Sequence, residues 1–390
     1  MSDKPVDKVI DTPSPSPPSI IRVVVIDDSA YNRQTISAMI ESQPGMRVVG
    51  RAGDGEEGLK LVFQHEPHII TLDLEMPRMD GFTFLRILMA RRPTPVIVIS
   101  GLGSKENVFK ALELGALDFV VKPSRQISPE LHSIRDDLAH KIRLVTQLKQ
   151  VHVAERMSYR AATQRTPSAQ IPAVPAVAAL DVPRDAATQQ TTSQGAPVGP
   201  APPRLVALAA STGGPPAILQ LLSAMAPTAQ AGFVVTQHMP PRFTRAFAER
   251  LDRLTKLTVR EAQEGDCVTT GVVLVAPGDG SLVLRREAGE LRVHIEPDDH
   301  AAYIPSADRM FESAAEAMRG AVLGVILTGM AGDGARGVRA IKAAGGRILS
   351  EDPATAVVPG MPTSAIATGV VDEILDLSAV PEAIERFLRT

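Results

Sequence analysis

The chain of 390 residues contains no tryptophan, few aromatic residues and a single cysteine, Cys267. A lone cysteine excludes an internal disulfide and a cysteine-rich metal site. No apolar run is long enough to span a bilayer, so we expect no membrane insertion. The formal net charge of −3 gives no reason to expect nucleic acid as a partner. These absences favour a soluble protein of a reducing compartment, the cytoplasm.

The length favours more than one domain, because single hydrophobic cores stop growing at about 250–300 residues. Residues 1–20 are rich in Pro, Ser and Asp and have no apolar core, which predicts a disordered arm and not a secretory signal. Residues 150–203 are rich in Pro, Ala and Gln, which predicts a flexible linker. Two folded domains are therefore predicted, over residues 21–149 and 204–390.

Short apolar runs alternate with segments of helical spacing between residues 21 and 149. This alternation predicts a flavodoxin-like, five-stranded parallel sheet with helices on both faces. A last helix is predicted to begin at Ser128 and Pro129, an N-cap and a first-turn proline. The predicted strands are Val23–Ile26, Val48–Arg51, Ile69–Leu72, Val96–Ile99 and Phe119–Val121.

Residues 204–390 predict a second doubly wound α/β domain with an antiparallel β addition. A helix is predicted over Pro241–Leu254. Its apolar residues Phe243, Phe247, Leu251 and Leu254 are predicted to face the core, and its arginines Arg242, Arg245 and Arg253 either face solvent or meet an acidic partner. The predicted buried strands are Leu205–Ala209, Phe233–Thr236, Val322–Leu327 and Arg347–Leu349, and the predicted antiparallel pieces are Val259–Arg260, Val272–Val275, Leu282–Arg285 and Leu291–Ile295.

Acidic residues follow two strands of the first domain. Asp27 and Asp28 follow the first strand, and Asp73 follows the third. The carboxyl ends of parallel strands share one edge, where ligands bind. Carboxylate oxygens suit Mg²⁺, with Asp28 and Asp73 as direct ligands, Asp27 acting through water and the carbonyl of Glu75 as a further ligand.

A hydroxyl and an ammonium group follow the remaining strands of this edge, Ser100 after the fourth and Lys122 after the fifth. Lys122 would neutralise phosphate oxygens, and the Ser100 hydroxyl would hydrogen-bond one of them. Phosphoryl transfer asks mainly for positioning and charge neutralisation. We therefore predict that Asp73 accepts a phosphoryl group.

A serine, a histidine and an aspartate follow strands of the second domain. Ser211 opens a Ser-Thr-Gly-Gly turn, His238 follows Phe233–Thr236, and Asp333 lies in the glycine-rich stretch after Val322–Leu327. A serine nucleophile needs a base, and the base needs an acid that orients it. The same glycine-rich segments are also typical of phosphate loops, and a lone histidine after a strand is commonly a loop residue. The spacing alone leaves a hydrolase and a nucleotide-binding domain open.

The first domain resembles a response-regulator receiver over roughly Arg22 to Val145. The whole chain, apart from its arm and linker, resembles the chemotaxis protein-glutamate methylesterase (CheB) family. The resemblance of the second domain rests on Ala-Ser-Thr-Gly-Gly at Ser211, Thr-Gln-His-Met-Pro at His238, Pro305–Phe311, Leu-Thr-Gly-Met-Ala-Gly-Asp-Gly at Asp333, and Pro359–Pro362. One departure is Ala209, where relatives usually have Gly.

The resemblance implies that Ser211 is the nucleophile, His238 the general base and acid, Asp333 the orienting carboxylate and the Met330 N–H an oxyanion donor. It also implies phosphorylation of Asp73 by a histidine kinase, which would shift Ser100 and Phe119. The implied substrates are glutamate methyl esters on cytoplasmic helices of chemoreceptors, and the same triad is compatible with glutamine deamidation. No cofactor is implied for the esterase.

Two other classes remain open: a receiver with a nucleotide-binding output domain, and a non-catalytic adaptor. ATP-dependent thermal stabilisation of the second domain would indicate the former. Labelling of serine by a fluorophosphonate would exclude the latter. The predicted regulation is that the unphosphorylated receiver packs over the Ser211 cleft.

Overall fold

The computed structural model describes residues 20–101, 103–122, 130–147, 201–226, 230–297, 303–330 and 332–389. The helix start predicted at Ser128 and Pro129 lies outside these residues, and so do the predicted arm and linker, except for residue 20 and residues 201–203. None of the helices in the described segments has the length and apolar character needed to cross a bilayer.

The first domain contains the predicted parallel sheet, in the order β2-β1-β3-β4-β5 within the described residues. Most of the residues in its strands are buried, as expected for a sheet covered by helices on both faces. The strands are β1 (Ile21–Ile26), β2 (Met46–Ala52), β3 (Ile69–Leu72), β4 (Val96–Ser100) and β5 (Asp118–Val121). The predicted flavodoxin-like fold is confirmed.

Polar caps fix where the helices of this domain begin. The side chain of Ser29 accepts a hydrogen bond from the Asn32 N–H, and that of Asp80 accepts one from the Thr83 N–H. Such caps satisfy backbone donors that the first turn leaves unpaired. The helices are α1 (Ala30–Glu41), α2 (Gly55–His65), α3 (Gly81–Arg91), α4 (Lys105–Glu113) and α5 (Glu130–Gln147).

The second domain contains a larger parallel sheet, in the order β14-β13-β12-β6-β7-β9-β8 in the described part of the chain. A separate antiparallel hairpin, β10-β11, is the predicted antiparallel addition. The strands are β6 (Leu205–Ala210), β7 (Gly232–Gln237), β8 (Thr258–Glu261), β9 (Val272–Val275), β10 (Ser281–Glu287), β11 (Glu290–Glu296), β12 (Val322–Ile326), β13 (Arg347–Glu351) and β14 (Glu373–Leu375).

Two strands predicted as antiparallel are in fact parallel. Val259–Arg260 lies in β8 and Val272–Val275 is β9, and β9 pairs in parallel with both β7 and β8. The reason is that residues 262–271 form a crossover and not a tight turn. Within this crossover the Val268 N–H donates to the Leu291 carbonyl, which ties it to β11.

The helices of the second domain are α6 (Gly214–Ala224), α7 (Phe243–Leu254), α8 (Ala307–Met318), α9 (Ala335–Ala343), α10 (Gly360–Ile366) and α11 (Val380–Arg389), and Arg319–Ala321 and Leu377–Ala379 are 3₁₀ turns. Helix α7 begins at Phe243 and not at Pro241, because Arg242 has a left-handed φ of 73°. Phe243, Phe247 and Leu251 are buried as predicted, but Leu254 is 50% exposed on the last turn, so that prediction is wrong.

Candidate active site and receiver site

Three neighbouring strands bring Ser211, His238 and Asp333 to one edge of the second sheet. Ser211 follows β6, His238 follows β7, and Asp333 lies beyond β12, which is the other neighbour of β6. The His238 N–H donates to the Ala210 carbonyl at 3.0 Å, and the Ser211 N–H donates to the Thr328 carbonyl at 3.0 Å. The three loops are therefore tied together by backbone hydrogen bonds.

Asp333 is the hydrogen-bonded centre of this edge. Its Oδ2 lies 2.8 Å from His238 Nε2 and accepts the Ala307 N–H at 2.7 Å. Its Oδ1 accepts the Asp308 N–H at 3.0 Å and the Ser306 hydroxyl at 3.2 Å. Burial opposes ionisation, but the hydrogen bonds and the nearby imidazole hold the pKa of Asp333 below its usual value. Asp333 is therefore a fixed carboxylate.

The imidazole of His238 has one nitrogen engaged and one available. Its Nε2 faces Asp333, whereas its Nδ1 is buried and has no hydrogen-bond partner among the described residues. The ring of Tyr303 stacks on the imidazole with centroids 5.1 Å apart and planes 6° apart. Burial, and then the charge of Asp333, raise the pKa of Tyr303, so its hydroxyl stays neutral. Sequence reasoning missed Tyr303, and no motif pointed to it.

The turn at Ser211 requires glycine. Gly213 has a left-handed φ of 77°, and a Cβ on Gly214 would lie only 2.0 Å from the Gln237 side-chain oxygen. The Gln237 side-chain nitrogen donates to the Ser211 carbonyl at 2.8 Å. Ala209 is a buried residue of β6 and is not among the residues of positive φ, so the strand accommodates alanine at this position.

The loop that contains Met330 packs against the serine. A Cβ on Gly329 would lie 2.9 Å from Ser211 Cβ. The Thr328 N–H donates to the buried Glu351 carboxylate at 2.7 Å, and the Thr328 hydroxyl donates to the Thr212 carbonyl at 2.9 Å. Met330 is buried, and its backbone N–H donates no hydrogen bond to another described residue. Glu351 is a further positioning residue that sequence reasoning missed.

The receiver site holds the predicted acidic cluster. Carboxylate oxygens of Asp27, Asp28 and Asp73 all lie within 4.8 Å of one another. Lys122 Nζ lies 2.6 Å from Asp73 and 3.5 Å from Asp27. Burial raises the pKa of Asp73 against the opposing effect of Lys122, and burial together with Asp73 raises that of Asp27. This set of hard oxygen donors beside one ammonium group fits a divalent cation and a phosphoryl group.

Ser100 and Phe119, which with Lys122 are the predicted switch residues, lie on the neighbouring strands β4 and β5. The Ser100 hydroxyl donates to the Gly101 carbonyl at 3.4 Å, and Phe119 is buried. The Glu75 N–H donates a hydrogen bond to the Asp73 carboxylate. The Glu75 carboxylate accepts hydrogen bonds from Ser104 and Asn107 at the start of α4. The role of the Glu75 carbonyl as a metal ligand stays a prediction.

The receiver contacts the second domain beside Ser211. The Thr212 hydroxyl donates to the Asp118 carboxylate across this interface. The rings of Phe119 and Phe243 have centroids 4.6 Å apart, and those of Phe109 and Phe247 are 5.6 Å apart. Two arginines of α7 extend the contact: Arg250 bonds Glu113 at 2.5 Å and 3.1 Å, and Arg253 bonds Glu106 at 2.9 Å.

Comparisons with known proteins match both domains. Residues 206–384 match the CheB methylesterase family, and residues 23–132 match the response regulator receiver domain. A protein-glutamate methylesterase/protein-glutamine glutaminase of Geobacter sulfurreducens is 48% identical over 369 residues, which are 93% of this chain and 96% of that protein. One from Myxococcus xanthus is 43% identical, covering 95% of this chain and 98% of that protein.

The crystal structure of the Thermotoga maritima CheB methylesterase catalytic domain covers 47% of this chain and 97% of its own, with 38% identity and a TM-score of 0.46.

Proposed function

This chain belongs to the CheB methylesterase family, and we propose that it hydrolyses glutamate methyl esters of chemoreceptors under the control of Asp73 phosphorylation. The observation that carries the proposal is the imidazole of His238. Its Nε2 is bonded to Asp333 at 2.8 Å, and its buried Nδ1 is free of partners among the described residues. A base oriented in this way, at the edge that carries Ser211, suits acyl transfer.

The geometry supports a specific proton path. Because Asp333 is an ionised acceptor, Nε2 carries the proton and Nδ1 has the lone pair. As Ser211 Oγ attacks the ester carbonyl, Nδ1 takes the hydroxyl proton and then delivers it to the leaving methoxide, which departs as methanol. Water then attacks the acyl-serine and gives its proton to Nδ1. Return of that proton to Ser211 releases the glutamate.

The oxyanion of each tetrahedral intermediate needs donors that are already in place. The Met330 N–H is such a donor, because its loop is held against Ser211 by the contacts of Thr328 and Gly329. Burial excludes water, which strengthens the hydrogen bond as charge develops. The same steps would release ammonia from a receptor glutamine, and the two relatives named above carry both activities in their names.

The receiver site supports phosphorylation of Asp73 by a histidine kinase. Asp27, Asp28 and Asp73 would hold Mg²⁺, which neutralises phosphoryl oxygens when it is bound. Lys122 bonds Asp73 directly and would share the charge of the phosphoryl group. Ser100 would then turn its hydroxyl from Gly101 to a phosphoryl oxygen.

The interface beside Ser211 supports inhibition by the unphosphorylated receiver. Thr212, the residue after the proposed nucleophile, bonds Asp118, and the switch residue Phe119 packs on Phe243. A shift of Phe119 on phosphorylation would loosen this contact and admit the receptor.

The test is methanol release from methylated receptor, with and without a small acyl phosphate as phosphodonor. We expect stimulation of the full chain by the phosphodonor, loss of that stimulation in Asp73→Asn, and loss of all hydrolysis in Ser211→Ala with Asp73 phosphorylation intact. Retained hydrolysis in Ser211→Ala would reveal another nucleophile. Equal rates with and without phosphodonor would refute the regulation.

A further inference from the structure

Helix α4 of the receiver packs over an apolar surface with a basic rim on the second domain. The floor of this surface lies between α6 and α7, and its rim consists of the α7 arginines that bond the receiver. We call it the receiver-facing groove, and its residues are Pro215, Pro216, Leu219, Phe247, Arg250 and Arg253.

The occupant of this groove is a helix of the same chain. Helix α4 of the receiver places Glu106, Phe109 and Glu113 against it. Their spacing of three and then four residues puts them on one face of the helix. The groove therefore already binds an amphipathic helix with an aromatic centre and acidic residues on both sides.

The groove also adjoins the nucleophile. Helix α6, which forms one wall, begins three residues after Ser211, and the neighbouring Thr212 bonds the receiver. A helix that occupied the receiver-facing groove would therefore lie close to the turn that carries Ser211. Departure of the receiver would leave Phe247 and two arginines without their partners, so a second helix of the same character would find a complementary surface.

We propose that the receiver-facing groove is the receptor-docking surface of the active enzyme, and that α4 occupies it as an internal mimic of an acidic receptor helix. The inference rests on the proposed function and adds a partner surface to it. Arg250 is the central contact, because it is only 18% exposed and holds Glu113 through two nitrogens. Charge-assisted pairs of this kind are stronger than exposed ones.

The two roles of the groove are separable in the full chain. Arg250→Glu removes a contact with α4 and with the receptor, whereas Glu113→Arg removes only the contact with α4. The double variant restores an opposite-charge pair across the interface but leaves the groove repulsive to an acidic helix. Arg245→Glu is the matched control, because this substitution makes the same charge change on α7. In the described contacts, Arg245 bonds only Glu249 of its own helix.

The measurements are methanol release and equilibrium binding of a methylated receptor fragment, each with and without acyl phosphate. With phosphodonor, Arg250→Glu and the double variant should raise KM and Kd by about tenfold with kcat unchanged, as expected for loss of a charged contact. Glu113→Arg should leave both constants unchanged and raise the rate without phosphodonor. The double variant should bring that rate back towards the wild-type value.

The outcomes distinguish this inference from the proposed function. An unchanged Kd in phosphorylated Arg250→Glu, or an equal loss in Arg245→Glu, overturns the docking surface even if methanol is released. A raised Kd in Arg250→Glu alone supports it, whether or not the wild type hydrolyses the ester. Absence of any receptor binding by the phosphorylated wild type overturns it as well.

Discussion

The ring centroid of Phe119 lies 4.6 Å from that of Phe243, so a residue of the edge strand β5 touches the first residue of α7 in the second domain. Lys141 also contacts Phe119. Its ammonium group donates a hydrogen bond to the Phe119 backbone carbonyl and lies over the face of the Phe119 ring. Phe119 lies three residues before Lys122, which bonds Asp73, so Phe119 is the side chain through which we propose that a change at the phosphoryl site reaches the second domain.

Replacing Phe119 by Leu should raise methanol release in the absence of phosphodonor by about two- to tenfold, because an aromatic pair contributes about 0.5–1.5 kcal/mol beyond its buried area. Phe119→Tyr keeps the ring and should stay near the wild-type rate. Denaturant unfolding checks that the receiver remains folded under assay conditions. An unchanged basal rate in folded Phe119→Leu would remove this contact from the inhibitory interface.

Removal of the Thr212 hydroxyl tests the polar contact beside the nucleophile. Thr212→Val should raise the basal rate about tenfold, because it leaves a carboxylate oxygen of Asp118 without its interdomain donor. Thr212→Ser retains the hydroxyl and should remain inhibited. With phosphodonor all three proteins should have similar kcat values. A collapse of kcat in Thr212→Val would mean that this side chain supports the serine turn and not the inhibition.

The sequence predicted the strand ends well because they depend on local pattern. Short apolar runs followed by Asp73, Ser211 or His238 are enough to place these residues at a sheet edge. The direction of β8 and β9 was not local, since it depends on a crossover whose partner is Leu291 in the distant β11. Strands of only four residues, such as β8 and β9, give too short a pattern to distinguish parallel from antiparallel pairing.

The parts of the site that sequence reasoning missed are contacts between distant segments. Tyr303 stacks on His238 from the loop before α8, and Glu351 binds the Thr328 N–H from β13. Neither residue lies in a motif that names its partner. Ser306 and Gln237 did lie inside the quoted motifs, and their hydrogen bonds to Asp333 and Ser211 now give a physical reason for those motifs.

The ionisation of Asp333 gives a pH prediction. Its folded-state pKa is depressed below the ordinary value of 3.8, so its stabilising effect is complete above that value and is lost only as the pH falls through the lower folded value. The activity ratio between wild type and Asp333→Asn should therefore reflect an ionised Asp333 from about pH 5 to pH 8, and the ¹³C NMR signal of its carboxyl group should show no protonation over that range. We expect a ratio of about 10²–10⁴ in kcat, as for other orienting carboxylates. A carboxyl signal that moved through the full protonation shift as the pH dropped through 6 would show that Asp333 is protonated there.

The stacked ring of Tyr303 should act on the transition state and not on receptor binding. His238 becomes an imidazolium when it accepts the serine proton, and the face of an aromatic ring stabilises a cation by about 0.5–2 kcal/mol. Tyr303→Leu keeps an apolar cover of similar size but has no aromatic face, so kcat should fall by about two- to thirtyfold with KM unchanged.

Tyr303→Phe is the matched control, because it keeps the ring and removes only the hydroxyl. Wild-type kcat in Tyr303→Phe together with a reduced kcat in Tyr303→Leu assigns the effect to the stacked face. Equal losses in both variants would assign it to the hydroxyl. Full activity in Tyr303→Leu would reduce the role of the side chain to excluding water, which any apolar residue can do. Because Tyr303 contacts His238 and takes no part in the Thr212–Asp118 hydrogen bond, none of these losses should change the ratio of phosphorylated to basal activity.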